Sequence, residues 1–228
     1  GISAHASSHP FMGRNALDAA ALAYQGLGLL RQQLPVSDRI HAIIDNGGQT
    51  PNLIPQTASL HINIRSRYAP TLRALSHRIE DVLHGAALMA GVQADIHWDS
   101  SPMTMPVRSN QTLGQRWVLA QREIGRNPYP AGTISDTLAA STDFGNVSLR
   151  LPGIHPLIQI APEGTGLHTA EFAAAAQSPR AEEAALDGAY GLAVVALDFL
   201  TDDALAADVQ AEFEKAGGAV QVQTYFDS

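Results

Sequence analysis

The chain has 228 residues, 45% hydrophobic and 16% charged, which is enough apolar material for one large or two small domains with their own cores. Its formal charge of −8 comes from 14 Lys+Arg against 22 Asp+Glu, and with Lys215 as the sole lysine and no arginine cluster it argues against a nucleic-acid surface. The absence of cysteine excludes disulfides and thiolate catalysis.

Leu17, Ala20, Leu27, Leu30 and Leu34 recur at helical spacing from Asn15 to about Leu34, where Pro35 stops the pattern. Ile40, Ala42 and Ile44 alternate as a strand that ends at Asn46-Gly47-Gly48. Ala58, Leu60, Ile62 and Ile64 alternate again, with Ser59, His61, Asn63 and Arg65 on the opposite, polar face. Leu72, Leu75, Ile79, Val82, Leu83, Ala86 and Ala90 predict a second amphipathic helix closed by Gly91. Val92, Ala94, Ile96 and Trp98 then predict a last strand. With a strand ending at Ala4-His5, the order is βαββαβ: a ferredoxin-like sandwich whose first strand is clipped, within an α/β (α+β) chain.

Composition shifts to Ser, Pro and Met between Ser100 and Val107, which places a domain boundary near 104/105. Beyond it, Asn110 to Gly125 reads as a helix and 127–143 as loop. Residues 153–160 read as a buried strand leading through a glycine-containing loop to His168. A long helix from Pro179 to Leu200 carries Leu186, Ala189, Tyr190, Ala193, Val194 and Leu197 on one face. No run approaches the ~18 apolar residues of a membrane span and no basic-then-apolar leader opens the chain, so the expectation is a cytoplasmic protein without a membrane partner.

Several short runs carry chemistry. Gly1-Ile2-Ser3-Ala4-His5-Ala6 leads through Pro10 and Gly13 into Asn15-Ala16-Leu17-Asp18-Ala19. Asn46-Gly47-Gly48 is followed by Asn52, two residues ahead of Ile54-Pro55, and by a strand ending in Arg65. Ser141-Thr142-Asp143-Phe144 and Gly166-Leu167-His168-Thr169-x-Glu171-Phe172 follow in the second half. Together these runs resemble the dinuclear-zinc aminoacylase and carboxypeptidase-G-like amidohydrolases. The wording of residues 141–148 and 152–156 is most similar to the subgroup of aminobenzoyl-glutamate hydrolases and β-alanyl-lysine-type dipeptidases.

The resemblance implies a lid or dimerisation domain over 1–104 and the C-terminal part of a catalytic domain over 105–228, with the N-terminal part absent. It implies an amidohydrolase or dipeptidase that cleaves N-acyl amino acids or small dipeptides with a free carboxylate. Two divalent metals, zinc in most relatives, and a homodimer formed through the lid come with it. His5, from a partner subunit, would stabilise the oxyanion; Asn52 and Arg65 would grip substrate; His168 would be the last metal ligand. Each has a plainer reading beside it. His5 and His9 can mark a turn, Asn52 can cap one, and Arg65 can pair on the surface, with Arg67 of the same strand parity competing for its role. Asp143 can be a helix N-cap and His155 a packing residue.

The His-x-Asp, bridging Asp and Glu-Glu elements of that family have no counterpart in this sequence, since Glu182-Glu183 falls inside the late helix. His168 alone would hold metal weakly, so the 228 residues by themselves are expected to be inactive. A different class remains: a non-catalytic ferredoxin-like dimerisation or binding module that pairs edge strands across a two-fold axis.

Overall fold

The computed structural model describes residues 1–98, 103–129, 133 and 142–226. They form a mixed α+β fold in two compact units: the first holds Gly1–Pro106, and the second runs from Val107 and takes in Asp143–Val222.

In the first unit, α1 (Ala16–Leu30) begins where Asn15 caps it, its Oδ1 accepting from Leu17 N–H at 2.9 Å. Asn15 Nδ2 donates to Asp18 at 2.8 Å, which accounts for the Asn-x-x-Asp spacing. Strand β1 (Arg39–Asn46) pairs antiparallel with β2 (Ser59–Arg65) in the register Ile40↔Ile64, Ala42↔Ile62 and Ile44↔Leu60. Those pairs share the face that α1 and α2 (Ala69–Ala90) cover. Leu27, Leu30, Ile40, Leu75 and Ile79 are buried there, and Ile62, Ile64, Val82 and Leu83 pack around them. Burial of each large side chain of this kind contributes about 1.5–3 kcal/mol. Gly91 closes α2 in the left-handed region, as its position after Ala90 predicts.

Two expected strands of this unit are not part of the sheet. Gly1–His5 makes only isolated antiparallel bridges, Ile2↔Arg14 and His5↔Leu53. Residues 92–98 form no ladder among the described residues, yet their burial still alternates: Val92, Ala94, Ile96 and Trp98 half-buried, the residues between them exposed. Alternation records which face prefers oil; a ladder also needs a neighbouring backbone.

In the second unit, α3 (Gln111–Glu123) packs on α6 (Pro179–Thr201) and α7 (Asp203–Lys215), with the short α4 (Phe144–Ser148) and α5 (Ala170–Ala175) between them in sequence. Leu113, Trp117, Val195 and Val209 form the core. The face of α6 that carries Leu186 and Leu197 is open, with the two leucines 73% and 61% exposed. The helix instead packs through Ala184, Gly191 and Val195, because small residues let Trp117 and Gln121 come against its backbone; a Cβ on Gly191 would lie 2.8 Å from Trp117 Nε1. By length and a mean hydropathy of 1.4, α6 is long and apolar enough to cross a membrane, although Asp187 and Asp198 interrupt its apolar run. Helix α7 lies beyond the elements expected from the sequence; Asp202 ends α6 and caps α7 within one residue, its Oδ1 accepting from Ala204 and Leu205 N–H. Residues 153–160, expected as a buried strand, form no ladder among the described residues, and Leu157 is 72% exposed.

One side chain closes this unit over long sequence separations. The Arg108 guanidinium donates to the carbonyls of Leu149, Ala216 and Gly218 and lies 4.6 Å from the Phe213 ring centroid. Burial lowers its pKa, and nearby Glu214 works against that shift.

Candidate functional site

Residues His5 and Asn52, far apart in sequence, are brought side by side. Ala6 N–H donates to the Asn52 carbonyl at 3.0 Å and Ile54 N–H to the Ala4 carbonyl at 2.9 Å, flanking the His5↔Leu53 bridge. Both side chains are exposed. The loop that carries Asn52 has its shape from Asn46 and Gly48. Asn46 Oδ1 accepts from Gly48 N–H at 3.0 Å, and Gly48 sits at φ +107° with Pro55 where a Cβ would go, so no other residue fits. A pocket of about 390 Å³ lies between this loop and Ala6, Asn15 and Leu17.

The hydrogen bonds around His5 determine which of its nitrogens carries the proton. Nδ1 faces the backbone N–H groups of Ser7 and Ser8, both at 3.3 Å, and the Ser7 hydroxyl at 3.2 Å. A backbone N–H is always a donor, so Nδ1 is the acceptor and the neutral ring carries its hydrogen on Nε2. That leaves an outward N–H donor of fixed orientation, the group an oxyanion needs. Asn52 is oriented in the same way: its Oδ1 accepts from the Thr50 hydroxyl at 2.6 Å, which leaves the NH₂ end to donate.

Arg65 is not part of this cluster. It ends β2, one strand length (about 20 Å at ~3.4 Å per residue) from the strand's start, and lies opposite Arg39. Arg39 commits its guanidinium to the Val36 and Asp38 carbonyls. Arg67 lies beyond the strand end and is exposed. Sequence reasoning missed Phe11 and Met12, which are 76% and 61% exposed near His5, with the Phe11 ring 5.9 Å from that of His9. The available signal was two large apolar residues between Pro10 and Gly13, in a turn too short to bury them.

In the second unit, His168 is exposed and is the one non-glycine residue at positive φ (61°) among the described residues. A left-handed backbone costs an L-residue about 1–2 kcal/mol, so the rest of the turn must hold it there. Thr169 follows as the N-cap of α5, its hydroxyl accepting from Phe172 N–H at 3.2 Å. Asp143 occupies the N-cap position of α4, but its side chain makes no capping hydrogen bond. His155 packs its ring 5.4 Å from that of Phe144. Ser141 lies outside the described residues. Among the described residues, no three His, Asp or Glu side chains gather closely enough to hold a metal ion. His168 by itself falls short of the three or four protein ligands of a zinc site, so the donor set does not fit a complete metal centre.

Residues 1–88 match the peptidase dimerisation domain family, M20 type. The Xaa-Arg dipeptidase of Mus musculus is 37% identical over 214 residues, covering 94% of this chain and 49% of that protein. The Homo sapiens Xaa-Arg dipeptidase is 35% identical over the same shares. One of the subunits of the p-aminobenzoyl-glutamate hydrolase of Escherichia coli K12 is 26% identical over 94% of this chain and 55% of its own length. The chain thus spans about half the length of the curated relatives it matches.

Proposed function

The chain belongs to the M20 amidohydrolase family, and on that premise we propose that it works within a longer protein as the lid and the C-terminal part of the catalytic domain of a metal-dependent amidohydrolase or dipeptidase. The boundary lies at 104/105. The lid is a ferredoxin-like βαββαβ unit through which two copies pair. The substrates are N-acyl amino acids or small dipeptides with a free carboxylate, and the names of the mammalian relatives add Xaa-Arg dipeptides to that class. A chain without cysteine suits the reducing cytoplasm, with neither membrane nor nucleic acid as partner.

The observation that carries the reading is the oriented His5 ring. With Nδ1 occupied by Ser7 and Ser8, Nε2–H donates to the substrate's carbonyl oxygen as that oxygen gains negative charge in the partner subunit's active site. Asn52 offers a second donor beside it. Arg65, at the far end of β2, holds the substrate carboxylate by its guanidinium fork. Two divalent ions, zinc by identity, belong to the longer protein. His168 supplies one ligand to them, and the described residues do not complete that centre.

The longer protein, purified with its metal, is assayed on Xaa-Arg and β-alanyl-lysine dipeptides and on aminobenzoyl-glutamate. Hydrolysis of at least one is expected. His5→Ala is expected to lower kcat by about 10²–10³-fold at unchanged metal content. Failure to hydrolyse any of them, or an unchanged kcat in the variant, overturns the reading.

A further inference from the structure

Asn46 alone among the asparagines is followed by glycine. It ends β1, just past the irregularity in register between Ile44 and Asn46, and opens the loop that carries Asn52. Three features meet at its side chain. Asn46 is exposed, so a group released from it passes straight into solvent. Its Oδ1 accepts from the Gly48 N–H at 3.0 Å. The Gly47 N–H between them makes no hydrogen bond among the described residues, and glycine sets no side chain beside that nitrogen.

These features suit an attack within the chain. The Gly47 main-chain nitrogen, after losing its proton to hydroxide, closes on Asn46 Cγ, since both ends belong to adjacent residues and the ring is a small one. Negative charge then collects on Oδ1, where the Gly48 N–H already donates. The N–Cγ bond forms and the Cγ–Nδ2 bond breaks. Nδ2 leaves as ammonia, taking a proton from water, which restores the hydroxide. Water opens the resulting succinimide on either side of its nitrogen. Cleavage at Cγ gives aspartate. Cleavage at the main-chain carbonyl carbon gives isoaspartate, whose main chain runs through Cβ and Cγ and is longer by one carbon. Water enters, ammonia leaves, and no oxidant or further reagent takes part. We propose that Asn46-Gly47 is a modification site that converts to isoaspartate in the folded protein, with water as co-reactant, and that the product loosens the loop holding Asn52 beside His5.

Asp187-Gly188 offers the same pairing on an acid, and the fold treats it differently. It lies inside α6, where the Gly188 N–H is committed to the helix ladder and Arg126 holds the Asp187 carboxylate at 2.5 Å. Local structure, and not the dipeptide, separates the reactive pair from the inert one. The added carbon at position 46 falls where the chain has little slack. Gly48 sits at φ +107° against Pro55. The bonds from Ala6 N–H to the Asn52 carbonyl and from Ile54 N–H to the Ala4 carbonyl fasten the far end of the loop to the His5 segment. Isoaspartate also draws the carbonyl that accepted from Gly48 into the main chain.

The test is incubation of the chain at mildly alkaline pH, folded and unfolded in guanidinium chloride, followed by peptide mass spectrometry. In the folded chain the peptide carrying Asn46 is expected to gain about 1 Da, with isoaspartate the main product by electron-transfer fragmentation. Its rate is expected to lie within about tenfold of the unfolded chain's, whereas isoaspartate at Asp187 is expected after unfolding alone. Asn46→Ser keeps an oxygen acceptor for the Gly48 N–H and cannot form the ring, so it is expected to stay unmodified. Amide exchange at Ala6 and Ile54 is expected to quicken by about tenfold in the converted protein and to stay unchanged in incubated Asn46→Ser. Conversion more than about tenfold slower in the folded chain than in the unfolded one overturns the proposal, because the loop then protects the site. Isoaspartate at Asp187 in the folded sample also overturns it, since unfolded chain is then the reacting species. Unchanged exchange at Ala6 and Ile54 in the converted protein overturns the loosening. No substrate enters these measurements, so their outcome is independent of the dipeptidase assay.

Discussion

The Glu212 carboxylate caps the first turn of α3 from α7: its Oε2 accepts from Thr112 twice, from the backbone N–H at 2.9 Å and the hydroxyl at 2.8 Å, while Oε1 takes Gln111 N–H at 2.6 Å. Partial burial pushes its pKa up, but these three donors outweigh it and hold the carboxyl below its ordinary value. A folded-state pKa below the unfolded one adds stability that is fully present above the unfolded value. That stability is lost as pH falls through the folded value. The midpoint of chemical denaturation is therefore expected to drop as pH falls below about 4.5, the ordinary carboxylate value. Glu212→Gln is expected to cost about 1 kcal/mol at pH ~7 and to flatten the acid limb, measured by urea titration across the range.

Gly191 and Gly188 lie one turn apart on α6 and differ in their surroundings. A Cβ at Gly191 would strike Trp117 and Gln121, whereas at Gly188 nothing lies within 4 Å. Gly191→Ala is expected to destabilise by about 1–3 kcal/mol, and Gly188→Ala to stabilise by up to about 1 kcal/mol. Thermal unfolding of the two variants side by side checks both signs.

His168 combines a strained backbone with a proposed ligand role, and two substitutions separate them. His168→Gly adopts φ near +61° without penalty, so its stability is expected to equal or exceed that of the parent. In the longer protein both His168→Gly and His168→Ala are expected to lower bound metal and abolish turnover. Unchanged metal content by elemental analysis, with full turnover retained in His168→Gly, would remove His168 from the ligand set.

Much of this architecture was legible from local chemistry. Asn15, Asn110 and Ser178 each cap a helix with a side-chain oxygen, and Gly91 ends one, so helix limits followed from residue type. The β1 and β2 pattern was equally plain, because one face is apolar and the other polar. Residues 92–98 and 153–160 alternate as clearly, but hydrophobic period reports a face and says nothing of whether a partner strand is at hand. On α6 the leucines drew attention, while the helix packs through its small residues. Nothing in the spacing of His5 and Asn52 places them together. Nor does His5 disclose its tautomer, which depends on the turn that folds Ser7 and Ser8 back over the ring.

The Arg108 guanidinium has a consequence for how the second unit comes apart. Leu149 and the 216–218 turn are held through one side chain, and the Val220 N–H to Leu149 carbonyl bond at 2.8 Å fastens the same place. The end of α7 is therefore tied to Leu149 against independent fraying: releasing it strips three carbonyls and a half-buried cation of their partners at once. Residues 108, 149 and 216–220 form one latch, and its opening is a single event shared by segments more than a hundred residues apart in the chain.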